Sequence, residues 1–322
     1  MTAGALPSDF VSYSAKWGAD PLRIQGPGGN TSIKIGEVMW IKASGMELGQ
    51  ALERDVFVPV NRAAALAEAH GAGDGTCKAA VIGQTGLRPS IETTFHAMLD
   101  WDVVAHTHSV ATIAHAISPD GLQIARDLLR DLPVAFVPYA KPGLPLTAQI
   151  AQTVSAETQV IVLGNHGLIC CGSEPGEVAD LMDEVERRLT RPALGMTADM
   201  PVAAPPDEFI WVPEVGRLAL EARLRDLACS GSLYPDHVVF LGPGLPRAPM
   251  ADAPVAVLKG QGVALRKDAT SSQRAMLICL ADVLARLDPA WAVSPIGAEA
   301  EAELLDWDAE KYRQALAARG PA

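Results

Sequence analysis

Asp102-Val103-Val104-Ala105-His106-Thr107-His108-Ser109, DVVAHTHS in one-letter code, places two of the chain's seven histidines two residues apart in an apolar stretch. The alternation predicts a β-strand, and the two-residue period of a strand sends His106 and His108 out of one face. Two adjacent imidazoles suit a plain core poorly, because each ring nitrogen needs a partner. A divalent metal would make the arrangement useful. A single histidine in an apolar strand is more often a hydrogen-bonded core residue than a ligand, so the metal reading requires further donors elsewhere in the chain.

Working outward, Gly164-Asn165-His166-Gly167 offers a third imidazole from a turn flanked by glycines and apolar strands. Pro89-Ser90-Ile91-Glu92-Thr93 predicts the start of a helix running to about Leu99, with Ser90 as its N-cap and the Glu92 carboxylate in the first turn. Glu92 is the fourth donor candidate. His96 competes for that place, since residues four apart share a helix face. His115 is expected to pack on the next helix, and His70 and His237 read as a helix-end and a strand-start residue. Three neutral imidazoles and a carboxylate suit Zn²⁺ and tolerate other divalent ions such as Mn²⁺ or Co²⁺.

The remaining pattern alternates helices and strands, which implies an α/β layer architecture. Helices are expected at 8–18, 61–70, 110–117, 121–129 and 146–155, and strands at Val38–Ser44 and Val134–Ala140. Gln159–Cys171 reads as two short strands around the Gly-Asn-His-Gly turn, and Ser173 as the cap of a helix reaching Leu189. Residues 191–206 shift to Ala, Pro and Met, the best linker, dividing the chain into residues 1–195 and 196–322. Beyond it the pattern gives a helix at 216–229, a strand beginning at His237 (HVVFLGP), a hairpin in PVAVLKGQGVALRK, a helix at 271–287 and a terminal helix near 300–318.

With 322 residues, 49% hydrophobic and 20% charged, a compact soluble protein is expected. The net charge of −12 argues against nucleic acid or an anionic membrane as partner. Five cysteines without a CxxC spacing suggest no disulfide framework. No cationic-then-apolar leader and no apolar run near 18 residues is seen, so the cytoplasm is the expected location. Gly26-Pro27-Gly28-Gly29-Asn30-Thr31-Ser32 is either a simple turn or a nest of backbone amides for an anion, with the Asn30 amide and the Thr31 or Ser32 hydroxyl as extra donors. Lys34 and Lys42 read as solvated strand residues.

Four segments, in order, resemble the class II aldolase/adducin family: GGNTS (Gly28–Ser32), KASG (Lys42–Gly45), PSIETTFH with AHTHS (Pro89–His96, Ala105–Ser109) and GNHGLI (Gly164–Ile169). Within the family the chain looks most similar to the aldolase half of bifunctional rhamnulose-phosphate aldolase/lactaldehyde dehydrogenases, a likeness continuing through YPDH (Tyr234–His237) and LLDWDAEKYRQAL (Leu304–Leu316). No GxGxxG fingerprint occurs. The resemblance implies a three-layer α/β/α sandwich around a largely antiparallel sheet, and the pattern beyond the linker adds a smaller α+β C-terminal region. It makes His106, His108, His166 and Glu92 the ligands of a divalent metal, and Glu92 also the catalytic base. It makes Gly29, Asn30, Thr31, Ser44, Gly45 and Ser90 the phosphate or substrate positions. It also implies a homo-oligomer, in the family usually a tetramer with sites at subunit interfaces.

Two departures stand out. Ile91 replaces a second serine, which weakens the case for a phosphorylated substrate. No tyrosine occupies the general-acid position, where the chain reads IARDLLRDLP; Tyr139 is the stand-in, with strand-end packing as its other reading, and Tyr234 and Tyr312 follow. The implied activity is cleavage of a ketose 1-phosphate or related hydroxy-keto sugar through a metal-stabilised enediolate. The same metal site would serve epimerisation, dehydration or decarboxylation of a sugar or sugar-acid phosphate, and the adducin branch offers a non-catalytic interaction role.

Overall fold

The structure, a computed structural model, describes residues 4–318. Helix α1 (Ser8–Gly18) leads into a meander of β1 (Asn30–Ile35), β2 (Val38–Lys42) and β3 (Phe57–Asn61). Next come α2 (Arg62–Ala69), α3 (Thr93–Met98), the histidine strand β4 (Val103–Thr107), α4 (Val110–Ala116) and α5 (Pro119–Leu129). Then follow β5 (Val134–Val137), α6 (Leu144–Thr153), β6 (Val160–Leu163), β7 (Gly167–Gly172) and α7 (Pro175–Leu189). The C-terminal region contains β8 (Phe209–Trp211), α8 (Arg217–Leu220), α9 (Ala222–Cys229), α10 (Pro235–Leu241), β9 (Val255–Leu258), β10 (Gly262–Arg266), α11 (Ser271–Leu284), α12 (Ala298–Leu305) and α13 (Asp308–Ala318).

The large sheet has the order β3-β2-β1-β4-β7-β6-β5, with only the β5/β6 pair parallel. Both faces are covered, which the strand alternation dictates. Val103 and Ala105 of β4, with Leu168 and Cys170 of β7, pack under α1, α5 and α7. Val104, Ile169 and Cys171 point the other way, under α3 and α6. This is the expected three-layer sandwich around a largely antiparallel sheet. Strands β9 and β10 of the small antiparallel sheet β8-β10-β9 belong to a separate apolar core that also includes Val110, Ile113 and Ala114 of α4. Helix α4 thus carries the C-terminal region against the large sheet.

Several local expectations are corrected. His237–Leu241 of HVVFLGP belong to helix α10, not a strand, and every residue of Pro235–Leu241 is buried. A short all-apolar run carries no period to separate the two states; Pro235 at the first helical turn starts a helix instead. The helix expected at 216–229 is split by extended backbone at Glu221, and the terminal one divides into α12 and α13. Helix α3 starts at Thr93 with Glu92 at the N-cap, so Ser90 lies outside it. Ser90 instead shapes the approach, its hydroxyl accepting the Glu92 amide at 3.2 Å and its carbonyl the Thr93 amide at 3.1 Å. Ser173 does not cap α7; Glu174 is the N-cap residue, and the Ser173 amide donates to Glu177 at 2.8 Å.

Candidate metal centre

β4 is the middle strand of seven, and its C-terminal end delivers His106 and His108 beside the β6–β7 turn that carries His166. Each of the three imidazoles offers one nitrogen, and the three atoms all lie within 4.8 Å of one another. The Glu92 carboxylate closes the group, with Oε2 3.5 Å from His106 Nε2 and Oε1 3.6 Å from His166 Nε2. The sequence-predicted quartet is therefore brought together, and all four members are buried.

Hydrogen bonds set the direction of each donor. His106 donates Nδ1–H to the Leu168 carbonyl at 3.0 Å, which turns the bare Nε2 towards Glu92. A lone pair facing a carboxylate is repulsive unless a cation lies between them. Among the described residues, His106 Nε2 and Glu92 Oε1 are buried without any hydrogen-bond partner, an arrangement that is costly to leave unsatisfied. Burial pushes His106 down to about 4 and His166 to about 3, so both rings are neutral at pH 7. Burial would raise the Glu92 carboxyl, but the three imidazoles and the Asn30 amide outweigh it and hold the group below its usual range. Three imidazoles and an ionised carboxylate converging on one point fit a divalent cation.

Asn30, at the start of β1, is cross-strand from His106 and acts on Glu92. Its amide donates to Glu92 Oε2 at 2.8 Å and to Ser90 Oγ at 3.2 Å, while its carbonyl accepts from His96 Nε2–H. His96 Nδ1 in turn accepts the Ser32 hydroxyl at 2.7 Å. Both nitrogens of His96 are thus engaged, and it is a support for Asn30 rather than the rival ligand. His115 bonds the Ala111 carbonyl at 2.9 Å and packs on Trp291, as expected.

The cavity beside the centre is lined by Gly29, Asn30, Ser44, Gly45 and Ser90 among others. Thr31 is a correction: period-2 geometry turns it to the opposite face, where its hydroxyl pairs with Ser14 at 2.8 Å. Tyr139 is another. It does not line the cavity, and burial pushes its hydroxyl up to about 12. Tyr234 is buried on Cys279, and Tyr312 lies under the Arg88 guanidinium at 3.9 Å. The two lysines are not solvated. Lys34 donates to the Trp101 carbonyl at 2.6 Å, and Lys42 to the carbonyls of Pro27 and Gly29 at 2.6 and 2.8 Å. The glycine-rich turn is thus drawn onto Lys42 by its carbonyls.

Residues from the C-terminal region, which sequence reasoning did not assign, complete the walls: Asp236 of α10 and Glu310 and Arg313 of α13. Asp236 Oδ2 lies 3.1 Å from His108 Nδ1. Arg313 donates to both Asp236 oxygens at 3.0 and 3.2 Å and to both Glu310 oxygens at 2.9 and 2.8 Å. Burial raises the Asp236 carboxyl, but Arg313 and His108 more than reverse this and hold it well below the usual carboxylate range. Glu310, with burial dominant and the same guanidinium to share, is pushed up to about 7. Leu316 sits against Gly45, leaving no room for a Cβ there. With α13 in place the cavity is about 20 Å³, space for one water. Asn165, at φ 51° in the turn, donates to the carbonyls of Leu233 and Ser294 at 3.0 and 2.7 Å, so the C-terminal region also clamps the turn that presents His166.

A family model described as Class II Aldolase and Adducin N-terminal domain matches residues 18–190. Among curated proteins, the chain is 31% identical over 191 residues to one named Uncharacterized oxidoreductase YuxG from Bacillus subtilis (strain 168), covering 53% of this chain and 27% of that protein. It is 30% identical over 130 residues to 3-oxo-tetronate 4-phosphate decarboxylase from Escherichia coli (strain K12), covering 37% and 60%. Both alignments take in less than two thirds of the relative's own length. Among solved structures, the N-terminal class II aldolase domain of a conserved protein from Thermoplasma acidophilum superposes with a TM-score of 0.50 at 26% identity, covering 59% of this chain and 95% of that one.

Proposed function

Because the chain belongs to the class II aldolase and adducin family, we propose that it is a divalent-metal-dependent carbon–carbon lyase, an aldolase acting on a ketose 1-phosphate or a related hydroxy-keto sugar. The observation that carries this reading is the buried convergence of His106, His108, His166 and Glu92 beside a polar cavity. In it these four residues hold Zn²⁺ or another divalent ion such as Mn²⁺ or Co²⁺. What the cation supplies when bound is Lewis acidity towards the oxygens on which cleavage leaves negative charge.

The protein's own residues do the rest. Glu92, fixed by Asn30 and kept ionised, takes or returns the proton at carbon. Gly29, Asn30, Ser44, Gly45 and Ser90 bind the substrate's polar end, and Lys42 holds the glycine-rich turn in place for them. A sugar-sized ligand needs a cavity of about 300 Å³ or more. Entry of such a substrate therefore requires the cavity walls, which include Glu310 and Arg313 of α13, to open, and their return would exclude water. Tyr139 is left out of the mechanism because it does not line the cavity. The catalytic unit is read as residues 1–195 and the protein as a homo-oligomer.

A second reading, decarboxylation of a sugar-acid phosphate, is favoured by the similarity to the decarboxylase of Escherichia coli. It uses the same residues, since loss of carbon dioxide leaves the same kind of charge. Product analysis separates the two. Purified protein given a divalent metal is expected to split ketose phosphates or free ketoses into a carbonyl pair, and chelation should stop the reaction. Carbon dioxide release from oxo-tetronate phosphates would favour the second reading. A metal-loaded protein that cleaves no member of the panel would return the chain to a non-catalytic, adducin-like role.

A further inference from the structure

We infer that Asp236 is a positioning residue of the metal centre: it accepts Nδ1–H of His108 and so aims Nε2 of that ring at the ion. This rests on the metal reading above, and it places part of the site outside the residues matched by the family model. His106 and His108 are oriented by different means. For His106 the acceptor is a backbone carbonyl of the neighbouring strand. For His108 it is a buried carboxylate 3.1 Å away on α10. A carboxylate acceptor fixes the tautomer and makes the imidazole a stronger donor to a metal, which is why such partners matter to affinity.

Two observations show that the contact is built rather than incidental. Arg313 donates to both oxygens of Asp236, so the carboxylate stays ionised and fixed while buried. Gly28 passes so close that a Cβ there would lie 2.8 Å from His108 Nδ1 and 2.9 Å from Asp236 Oδ2. Only glycine lets the pair meet. The turn that reads from sequence as an anion nest thus has a second duty, leaving room for the ring and its carboxylate.

The test uses the full chain and the metal alone. Zn²⁺ affinity is measured by chelator competition on the wild type, Asp236→Asn and Gly28→Ala, with ¹⁵N-histidine NMR of the metal-free proteins. The wild type should bind one equivalent, with His108 held as the Nδ1–H tautomer. Asp236→Asn should bind about 10–100-fold more weakly, and His108 should become a mixture of tautomers. Gly28→Ala, which leaves Asp236 paired with Arg313, should reproduce both effects and serves in place of Asp236→Asn should that variant not fold. Wild-type affinity and an unchanged tautomer in a folded variant overturn the assignment. A wild type that binds no metal overturns the metal reading itself, a distinct result.

Discussion

Residues 18–190 and the C-terminal region contribute to one site in different ways. The first supplies every candidate ligand: His106 and His108 from the middle strand, His166 from a turn, and Glu92 from a helix start. The second supplies groups that act through these: Asp236 on His108, Arg313 between Asp236 and Glu310, and the carbonyls of Leu233 and Ser294 on Asn165. In the function proposed above, one region supplies the groups for the chemistry and the other orients and walls them. Mutations in the two should therefore fail differently, one in chemistry and the other in order.

The sharpest separation comes from His106→Ala. It removes a donor from the centre, so bound divalent metal should fall below stoichiometric in elemental analysis. Cleavage should drop by roughly 10³-fold or more, since a metal contributes several kcal/mol of charge stabilisation. The fold should persist, because the ring's loss relieves a buried, unpartnered nitrogen. A variant that keeps its metal and its rate would remove the distinction between the regions altogether.

Arg313→Met attacks the other side. It leaves two buried carboxylates, Asp236 and Glu310, without their shared cation. Breaking a buried pair in this way costs about 3–5 kcal/mol. The loss should appear in hydrogen exchange as faster opening of α10 and α13, while β4, β6 and β7 keep their protection. Equal loss of protection in the large sheet would mean that the two regions open as one unit.

The same contrast explains what the sequence could disclose. Histidine is scarce in this chain, so His106, His108 and His166 stand out by spacing and by their glycine setting. The large sheet follows from alternation that assigns Val103 and Val104 to opposite faces. Asp236 is one of 38 acidic residues, and nothing local distinguishes it, although the segments YPDH and LLDWDAEKYRQAL carry part of the resemblance. Its role depends on helix α10 (Pro235–Leu241) meeting the end of strand β4 (Val103–Thr107), far away in the chain. That meeting is made by packing of α10, α11 and α4, which no local pattern encodes. Even the state of α10 was illegible, because a fully buried run shows no period. Thr31 shows the reverse failure, where a motif position was legible and the strand's pleat turned the side chain away.

Acid–base behaviour offers a smaller but signed comparison. In the metal-free protein, burial holds His106 at about 4 and His166 at about 3, below the unfolded value of 6.5. Between those values the unfolded chain binds more protons, so these histidines make stability rise with pH up to about 6.5. Glu310 runs the opposite way. Its folded value of about 7 exceeds the unfolded 4.5, so its contribution is complete below about 4.5 and is lost as pH climbs to about 7. The effect is on the order of 3 kcal/mol. Subtracting the Glu310→Gln profile from the wild-type profile in urea should leave a curve that falls through this window. A flat difference would show that Arg313 keeps Glu310 ionised throughout, and that α13 carries no pH dependence of its own.

The mildest test asks whether the C-terminal region acts on the centre through Asp236 or merely through its own stability. Thr270 caps α11 in a reciprocal capping box, accepting the Gln273 amide at 3.1 Å while the Gln273 side chain accepts the Thr270 amide at 2.9 Å. Helix α11 packs on α10 and α4 but its cap does not touch the cavity. Thr270→Ala should cost about 1 kcal/mol, read as a lower urea midpoint with an unchanged slope. If the region's influence passes through a specific hydrogen bond, Zn²⁺ affinity should stay at the wild-type value despite that loss. A parallel fall in affinity would mean that the centre feels the whole region's stability, and the distinction between a ligand-bearing and a ligand-orienting region would have to be redrawn as one cooperative fold.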